Sequence, residues 1–292
     1  MVRALASSSA PSSVHFYCSS GGNAGLACAT AALSLNRPAT IVLPTSSSPL
    51  MKRKLLALGV RVEVQGDNWA QADRYLREEL LAHDPEGIYV PPFDHPLIWD
   101  GAASLVTELR EQMGDRPLHG IVCSVGGGGL LNGVMQGVTS LYSPHETPQV
   151  LAVETVGADS LNASVVAGSH VTIPGITSIA TSLGATRVSA RTWEWARDRP
   201  DVLTSLVVSD ADAAVSCVRF ADDARQLVEV SCGATLAVCY GGELRRRLGS
   251  ALSDDEWATR NVVLEVCGGA GVTLDVLATY RDKYGKEASI KC

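Results

Sequence analysis

The chain has 292 residues, 46% of them hydrophobic and 19% charged, enough for one large globular unit or two modest domains, since cores split at roughly 100–200 residues. That composition excludes a disordered chain and a small disulfide-stapled fold. The 24 basic and 31 acidic residues leave a formal net charge of -7, the opposite of a nucleic-acid-binding footprint, so no nucleic-acid partner is expected.

No apolar run reaches the roughly 18 residues of a spanning helix, and the apolar stretch at the start is too short for a secretory signal. Neither a membrane nor an export route is expected. The eight cysteines, Cys18, Cys28, Cys123, Cys217, Cys232, Cys239, Cys267 and Cys292, form no Cys-x-x-Cys pair and have no histidine at zinc-like spacing. Several lie in apolar runs, where a free thiol acts as a small hydrophobe in a reducing compartment, and the cytoplasm is the expected location.

In chain order, β-branched runs predict strands over residues 14–18, 40–43, 61–64, 88–90, 120–124, 150–155, 206–209 and 261–266. Helices are expected in most intervals, among them 23–35, 130–140 and 210–222. This alternation is the sign of mostly parallel sheets covered by helices, an α/β fold. Pro91-Pro92-Phe93-Asp94-His95-Pro96 can continue neither a helix nor a central strand, because proline lacks the N–H both require. The break divides the chain into a small α/β domain, residues 1–95, and a large one, residues 96–292, and a cleft between two such layers suits a small ligand.

Two glycine-rich turns stand at strand ends. Ser19-Ser20-Gly21-Gly22-Asn23-Ala24-Gly25 precedes an Ala-rich helix, whose first unpaired N–H groups could take a carboxylate. An ordinary strand-to-helix loop with Ser and Asn caps is the alternative. In the second turn, Gly126, Gly127, Gly128 and Gly129 follow Ser124-Val125 and open an apolar helix. Four successive glycines are entropically costly, and a phosphate held by main-chain N–H groups would account for them, as would tight helix–strand packing. The turn lacks both the Gly-x-Gly-x-x-Gly dinucleotide pattern and the Gly-Lys-Ser/Thr of a nucleotide loop.

Together with Ile88-Tyr-Val-Pro-Pro-Phe-Asp-His-Pro-Leu97, Trp99 and Val266-Cys267-Gly268-Gly269, these turns resemble the serine/threonine dehydratases, pyridoxal-phosphate enzymes of the tryptophan-synthase-β fold type (fold type II). The resemblance runs over almost the whole chain in the right order, and Pro91-Pro92-Phe93 with Trp99 is similar to the L-serine dehydratase branch. It implies two parallel-sheet domains with the cofactor cleft between them, and a homodimer. Gly126, Gly127, Gly128 and Gly129 would hold the phosphate of pyridoxal 5'-phosphate. Asn23 would bond the phenolic oxygen of its ring. Ser20, Gly21, Gly22 and Asn23 would take the carboxylate of a small amino-acid substrate, with Gly21 leaving room beside it. Cys267 would face the pyridine nitrogen. A thiol does not protonate that nitrogen, so the ring is expected to be a poor electron sink, which favours elimination over racemisation. Relatives often carry a serine and an asparagine where this chain has Gly269-Ala270-Gly271.

By the same resemblance Glu154 marks a monovalent-cation site, completed by main-chain oxygens of Ala158, Ser160, Leu183 and Ala185. A single carboxylate with carbonyls suits potassium better than calcium or magnesium. A strand-end glutamate paired with a surface arginine is the alternative.

The resemblance also implies a lysine that forms the Schiff base with the cofactor and removes the substrate α-proton, in a Ser-x-x-Phe-Lys-x-Arg-Gly segment one helix before the asparagine turn. The five lysines present, Lys52, Lys54, Lys283, Lys286 and Lys291, read as solvated helix faces and tail. The expectation is an N-terminally shortened form of a competent enzyme, inactive alone. The activity implied is deamination of L-serine or L-threonine to a 2-oxo acid and ammonia. The alternatives are a β-replacement synthase or racemase of the same fold, a noncatalytic binding protein and a nicotinamide oxidoreductase.

Overall fold

The computed structural model describes residues 1–291, in two compact units that divide after Pro92. In the first, β1 (His15–Cys18), β2 (Ala39–Leu43), β3 (Arg61–Val64) and β4 (Gly87–Tyr89) form a parallel sheet in the order β3-β2-β1-β4. Its helices are α1 (Val2–Ala6), α2 (Asn23–Ser34), α3 (Pro49–Ala57) and α4 (Trp69–Tyr75). The sheet is covered on both faces, which is why β2 is buried at every residue and apolar except at Thr40, whose hydroxyl is paired with His15 Nε2. Cys28, Ala29 and Ala32 of α2 pack with Phe16, Ile41 and Leu43, while Ala72 of α4 meets Tyr17 and Val42.

The second unit repeats the plan with β5 (Gly120–Ser124), β6 (Gln149–Thr155), β7 (Leu203–Val208) and β8 (Val262–Leu264), parallel in the order β7-β6-β5-β8. Its helices are α5 (Pro96–Met113), α6 (Gly129–Leu141), α7 (Ser160–Ala167), α8 (Ala190–Asp198), α9 (Asp210–Ala224), α10 (Val230–Tyr240), α11 (Glu243–Leu248), α12 (Asp254–Ala258) and α13 (Leu274–Tyr284). Alternate strand residues serve opposite faces, as the two-residue period requires. Val122, Leu151 and Val153 join the core under α9 and α10, and Ile121, Cys123, Val150 and Ala152 the core under α5 and α6.

The α/β architecture expected from the alternation is therefore present, with shifts at strand ends. β7 begins at Leu203, ahead of the expected 206, because Thr204 and Ser205 pair with Leu151 and Ala152 although polar side chains conceal them. β8 stops at Leu264. Glu265 still donates its N–H to Val122 O at 2.8 Å, and then Gly268 and Gly269 turn the chain with φ of 80° and 83°. Among the described residues no helix is long and apolar enough to cross a membrane.

In each sheet the order of connection reverses beside one strand: β1 lies between β2 and β4, and β5 between β6 and β8. Open α/β sheets bind ligands beyond the carboxyl end of the strand at such a reversal. Each glycine-rich turn follows that strand of its own sheet.

Helix α6 lies close on α5. A Cβ at Gly133 would stand 2.7 Å from Trp99 O and 2.8 Å from Ala102 C, whereas one at Gly101 meets nothing within 4 Å. Gly133→Ala should therefore lower stability by about 1–3 kcal/mol through overpacking. Gly101→Ala should raise it by about 0.4–1 kcal/mol, and denaturant midpoints of the two variants check both signs.

Candidate functional site

The tetraglycine turn is built from its own neighbours. Val125 N–H donates to Val153 O at 2.8 Å, so the chain leaves the sheet at Gly126. A Cβ at Gly126 would lie 3.0 Å from Ser182 O, and one at Gly129 2.9 Å from Phe93 O; at Gly127 it would run into the Phe93 ring and at Gly128 into the Thr192 hydroxyl. Gly128 also has φ of 96°, a left-handed conformation that disfavours side chains. Packing thus requires bare Cα atoms throughout the run. The glycines alone do not point to a ligand; the donors do.

Those donors are at the start of α6. Its first internal bond runs from Asn132 N–H to Gly128 O at 2.8 Å, and no side chain caps the helix. The amides of Gly129, Leu130 and Leu131 have no partner within the helix and stand at its positive end, which fits a phosphate. The turn is held rigid from both sides. Trp99 Nε1 donates to Phe93 O at 2.9 Å. Behind Gly128, Asn132 Nδ2 donates to Ser189 Oγ and Thr192 Oγ1 to Asn132 Oδ1, each at 2.9 Å, while Ser189 N–H donates to Gly127 O at 2.9 Å. All three side chains are buried. Sequence reading missed Asn132, Ser189 and Thr192, which are far apart in the chain and carry no local pattern.

Because β8 pairs with β5, Cys267 follows the strand next to the one that bears the tetraglycine turn. Its residue is exposed, and its Sγ donates to Glu265 Oε2 at 2.7 Å. Although the residue as a whole is exposed, its sulfur is largely desolvated, and that desolvation, ahead of the Glu265 charge, pushes the thiol above its ordinary range. Glu265 itself is raised by burial, against the hydrogen bond from Cys267. No signal in the sequence analysis pointed to Glu265. The expectation that sulfur simply faces a ring nitrogen has to take in a thiol hydrogen committed to a carboxylate.

Glu154, next to last in β6, is wholly buried. Its Oε1 accepts from Leu161 N–H at 2.8 Å and its Oε2 from Asn162 N–H at 2.7 Å, so it closes the first turn of α7 rather than pairing with a surface arginine. Burial pushes its carboxyl up to about 8, against the lowering effect of the two amides. Nearby, Ser160 Oγ is buried with no hydrogen-bond partner. Ser160 O accepts from Ser164 Oγ at 2.8 Å, and Leu183 O from Ala185 N–H at 2.8 Å.

In the first unit, Ser20, Gly21 and Gly22 form the turn from β1 into α2, and Asn23 is the first residue of that helix. Leu26 N–H makes the first internal bond, to Gly22 O at 3.2 Å, and the Gly22 N–H ahead of it donates to Ser20 Oγ at 3.3 Å. A Cβ at Gly21 would lie 2.9 Å from Ser47 Cβ, so packing within the turn already requires a glycine there. Beneath the turn, Ser19 Oγ donates to Asp73 Oδ1 at 2.5 Å and Tyr89 OH to the same oxygen at 2.6 Å. Arg77 Nε holds Asp73 Oδ2 at 2.8 Å. Burial and the Asp73 bond push the Tyr89 phenol up to about 12, so it stays a donor.

The family of pyridoxal-phosphate dependent enzymes matches residues 1–268. The chain is 44% identical over 276 residues to a serine dehydratase-like protein of Mus musculus, covering 93% of this chain and 80% of the relative. To the L-serine dehydratase/L-threonine deaminase of Bos taurus it is 41% identical over 273 residues, 94% of this chain and 81% of the relative. The crystal structure of a fungal L-serine ammonia-lyase from Rhizomucor miehei superposes with a TM-score of 0.82 at 38% identity, covering 93% of this chain and 82% of that one. Match, identity and superposition agree along nearly the whole length, and the chain belongs to the pyridoxal-phosphate dependent enzyme family.

Proposed function

We propose that the chain is an L-serine or L-threonine ammonia-lyase acting with pyridoxal 5'-phosphate. The observation that carries this reading is the pairing of β5 with β8, which sets the tetraglycine turn and Cys267 at the carboxyl ends of neighbouring strands, where the sheet reverses. The chemistry supplied by bound pyridoxal phosphate is electron withdrawal from the Cα–H bond of an amino acid. Gly126, Gly127, Gly128 and Gly129 with the first amides of α6 hold the phosphate. Ser20, Gly21, Gly22 and Asn23 hold the substrate carboxylate, and Asn23 also bonds the ring's phenolic oxygen. Cys267 takes the side of the ring nitrogen. A cytoplasmic homodimer is the finer expectation; free thiols at the described cysteines support the compartment.

Glu154 and the main-chain oxygens of Ala158, Ser160, Leu183 and Ala185 hold a monovalent cation, potassium by ligand chemistry. Two features support this: a buried carboxylate with no basic partner among the described residues, and the unpartnered Ser160 hydroxyl. Because Ser182 and Leu183 pack on Gly126, an ion there would brace the phosphate turn.

One observation favours a second reading, binding without turnover: no Ser-x-x-Phe-Lys-x-Arg-Gly segment occurs among the 292 residues. These residues alone, given pyridoxal phosphate and L-serine, should form pyruvate no faster than free pyridoxal phosphate does. An added primary alkylamine should raise the rate if the rest of the site is competent. No rescue, with reversible binding that phosphate displaces and borohydride does not trap, would establish the second reading. Gly127→Ala should weaken cofactor binding at least about tenfold by driving Phe93 against the turn, about 1.4 kcal/mol or more, read by fluorescence titration.

Glu154 gives a pH test. Its carboxyl is raised in the fold from 4.5 to about 8, so its contribution to stability is present below the unfolded value and lost as pH rises through the folded one. In a buffer free of small cations the thermal midpoint should fall from about pH 5 to about pH 8. Potassium should restore it at the upper end only, and Glu154→Gln should remove both effects. A midpoint insensitive to potassium throughout would exclude the cation site.

A further inference from the structure

We infer that Asp210 is a positioning residue that pre-orders one short turn shared by the phosphate turn and the cation site. This rests on the cofactor and cation readings above and adds to them a residue assigned to neither ligand. Between α7 and α8 the chain runs through residues 168–189 with one 3-10 turn, Thr181–Leu183. A connection of that length is usually either functional or disordered. The place of this turn gives it two duties. Ser182 O and Leu183 Cα lie 3.0 and 3.1 Å from where a Cβ on Gly126 would stand, so the turn backs the start of the glycine run. Leu183 and, just beyond it, Ala185 supply the oxygens assigned to the cation.

The segment leading into the turn is held by a single carboxylate. Asp210 opens α9, where an acidic residue suits the helix dipole, but the helix start already has a cap, since Ser209 Oγ accepts from Asp212 N–H at 3.0 Å. The oxygens of Asp210 are spent elsewhere: Ser178 Oγ donates to Oδ1 at 2.5 Å, and Ile179 N–H to Oδ2 at 3.0 Å. A serine hydroxyl has one hydrogen, and here Asp210 takes it. Thr155 Oγ1 at 2.8 Å and Ala180 N–H at 3.0 Å must therefore both donate to the Ser178 oxygen. Thr155 directly follows Glu154, and Ala180 O accepts from Leu183 N–H at 2.8 Å. Asp210 thus sets the direction of the side-chain bonds that tie the end of β6 to the turn. Ser178 and Thr155 are buried, where a missing partner is costly.

A turn held in this way is ordered before either ligand arrives. Without the carboxylate, the first ligand to bind has to order it, and the second then binds to a turn already in place. Loss of Asp210 is therefore expected to weaken both ligands alone and to make each help the other, a coupling that is reciprocal.

Fluorescence titration of the 292-residue chain with pyridoxal phosphate, with and without saturating potassium, tests this. In Asp210→Ala without potassium the affinity should fall at least about tenfold, as for a turn ordered about one tenth of the time. Saturating potassium should bring it back to within about twofold of the parent chain, whose own affinity should respond much less. Ser178→Ala leaves the Ile179 bond in place and should show the same pattern with a loss of at least about threefold, which carries the test should Asp210→Ala not fold. Val106→Ala, which opens a cavity between α5 and α6, lowers stability without touching the turn and should leave the affinity and its potassium response as in the parent. Parent-like affinity in Asp210→Ala and Ser178→Ala, a loss that potassium does not restore, or the same loss in Val106→Ala would overturn the inference while leaving the cofactor reading standing. A parent chain that binds no pyridoxal phosphate would overturn both.

Discussion

Parallel pairing of β5 with a strand on each flank governs what the second unit can do. The pairing with β6 lets Val125 N–H reach Val153 O, which sets where the chain leaves the sheet. The pairing with β8 carries Cys267 and Glu265 to the same end of the sheet. Because all four strands run in one direction, their carboxyl ends share one edge, and so do the turns that follow them. Neither a lone glycine run nor a lone cysteine would distinguish this chain from many α/β proteins. Their placement on adjacent strands at a reversal does.

Much of this was legible in the sequence. Strand runs such as Gly120–Ser124 and Arg61–Val64 appear with the expected bounds: the first is an apolar run buried along most of its length, the second an edge strand that alternates polar Arg61 and Glu63 with β-branched Val62 and Val64. Glycine turns were visible as well, because their composition is extreme. Contacts that join distant residues were not. Phe93, in the segment just ahead of α5, closes the tetraglycine turn; the Asn132, Ser189 and Thr192 bonds span gaps of 57 and 60 residues. Ser19 is tied to Asp73 across 54. Each is a polar or aromatic side chain unremarkable in its own segment, and only the packed fold pairs it. Glu265 escaped notice for another reason: two residues from a cysteine in an extended stretch, its side chain falls on the same side as the thiol, but nothing in an apolar run announces which carboxylate will matter.

The glycine run shows why residue type and chemical role have to be argued separately. Phe93, Thr192 and the Ser182–Leu183 backbone exclude a Cβ at all four positions, so these glycines would be needed in a protein that bound nothing. What packing leaves unexplained is the direction of the amides: a helix start without a side-chain cap puts donors at the sheet's carboxyl edge with no recorded acceptor among the described residues. Sterics shape the turn, and electrostatics at the start of α6 give it a preference for an anion.

The same separation applies to the two carboxylates. Glu154 and Glu265 are both raised by burial, yet they are satisfied differently. Glu154 receives two main-chain N–H groups, which partly offset its lost hydration. Glu265 receives one weakly polar S–H, a poorer substitute for water. Two main-chain amides compensate a desolvated carboxylate better than one thiol does, and of the two residues it is Glu154 that is wholly buried while Glu265 stays half-buried.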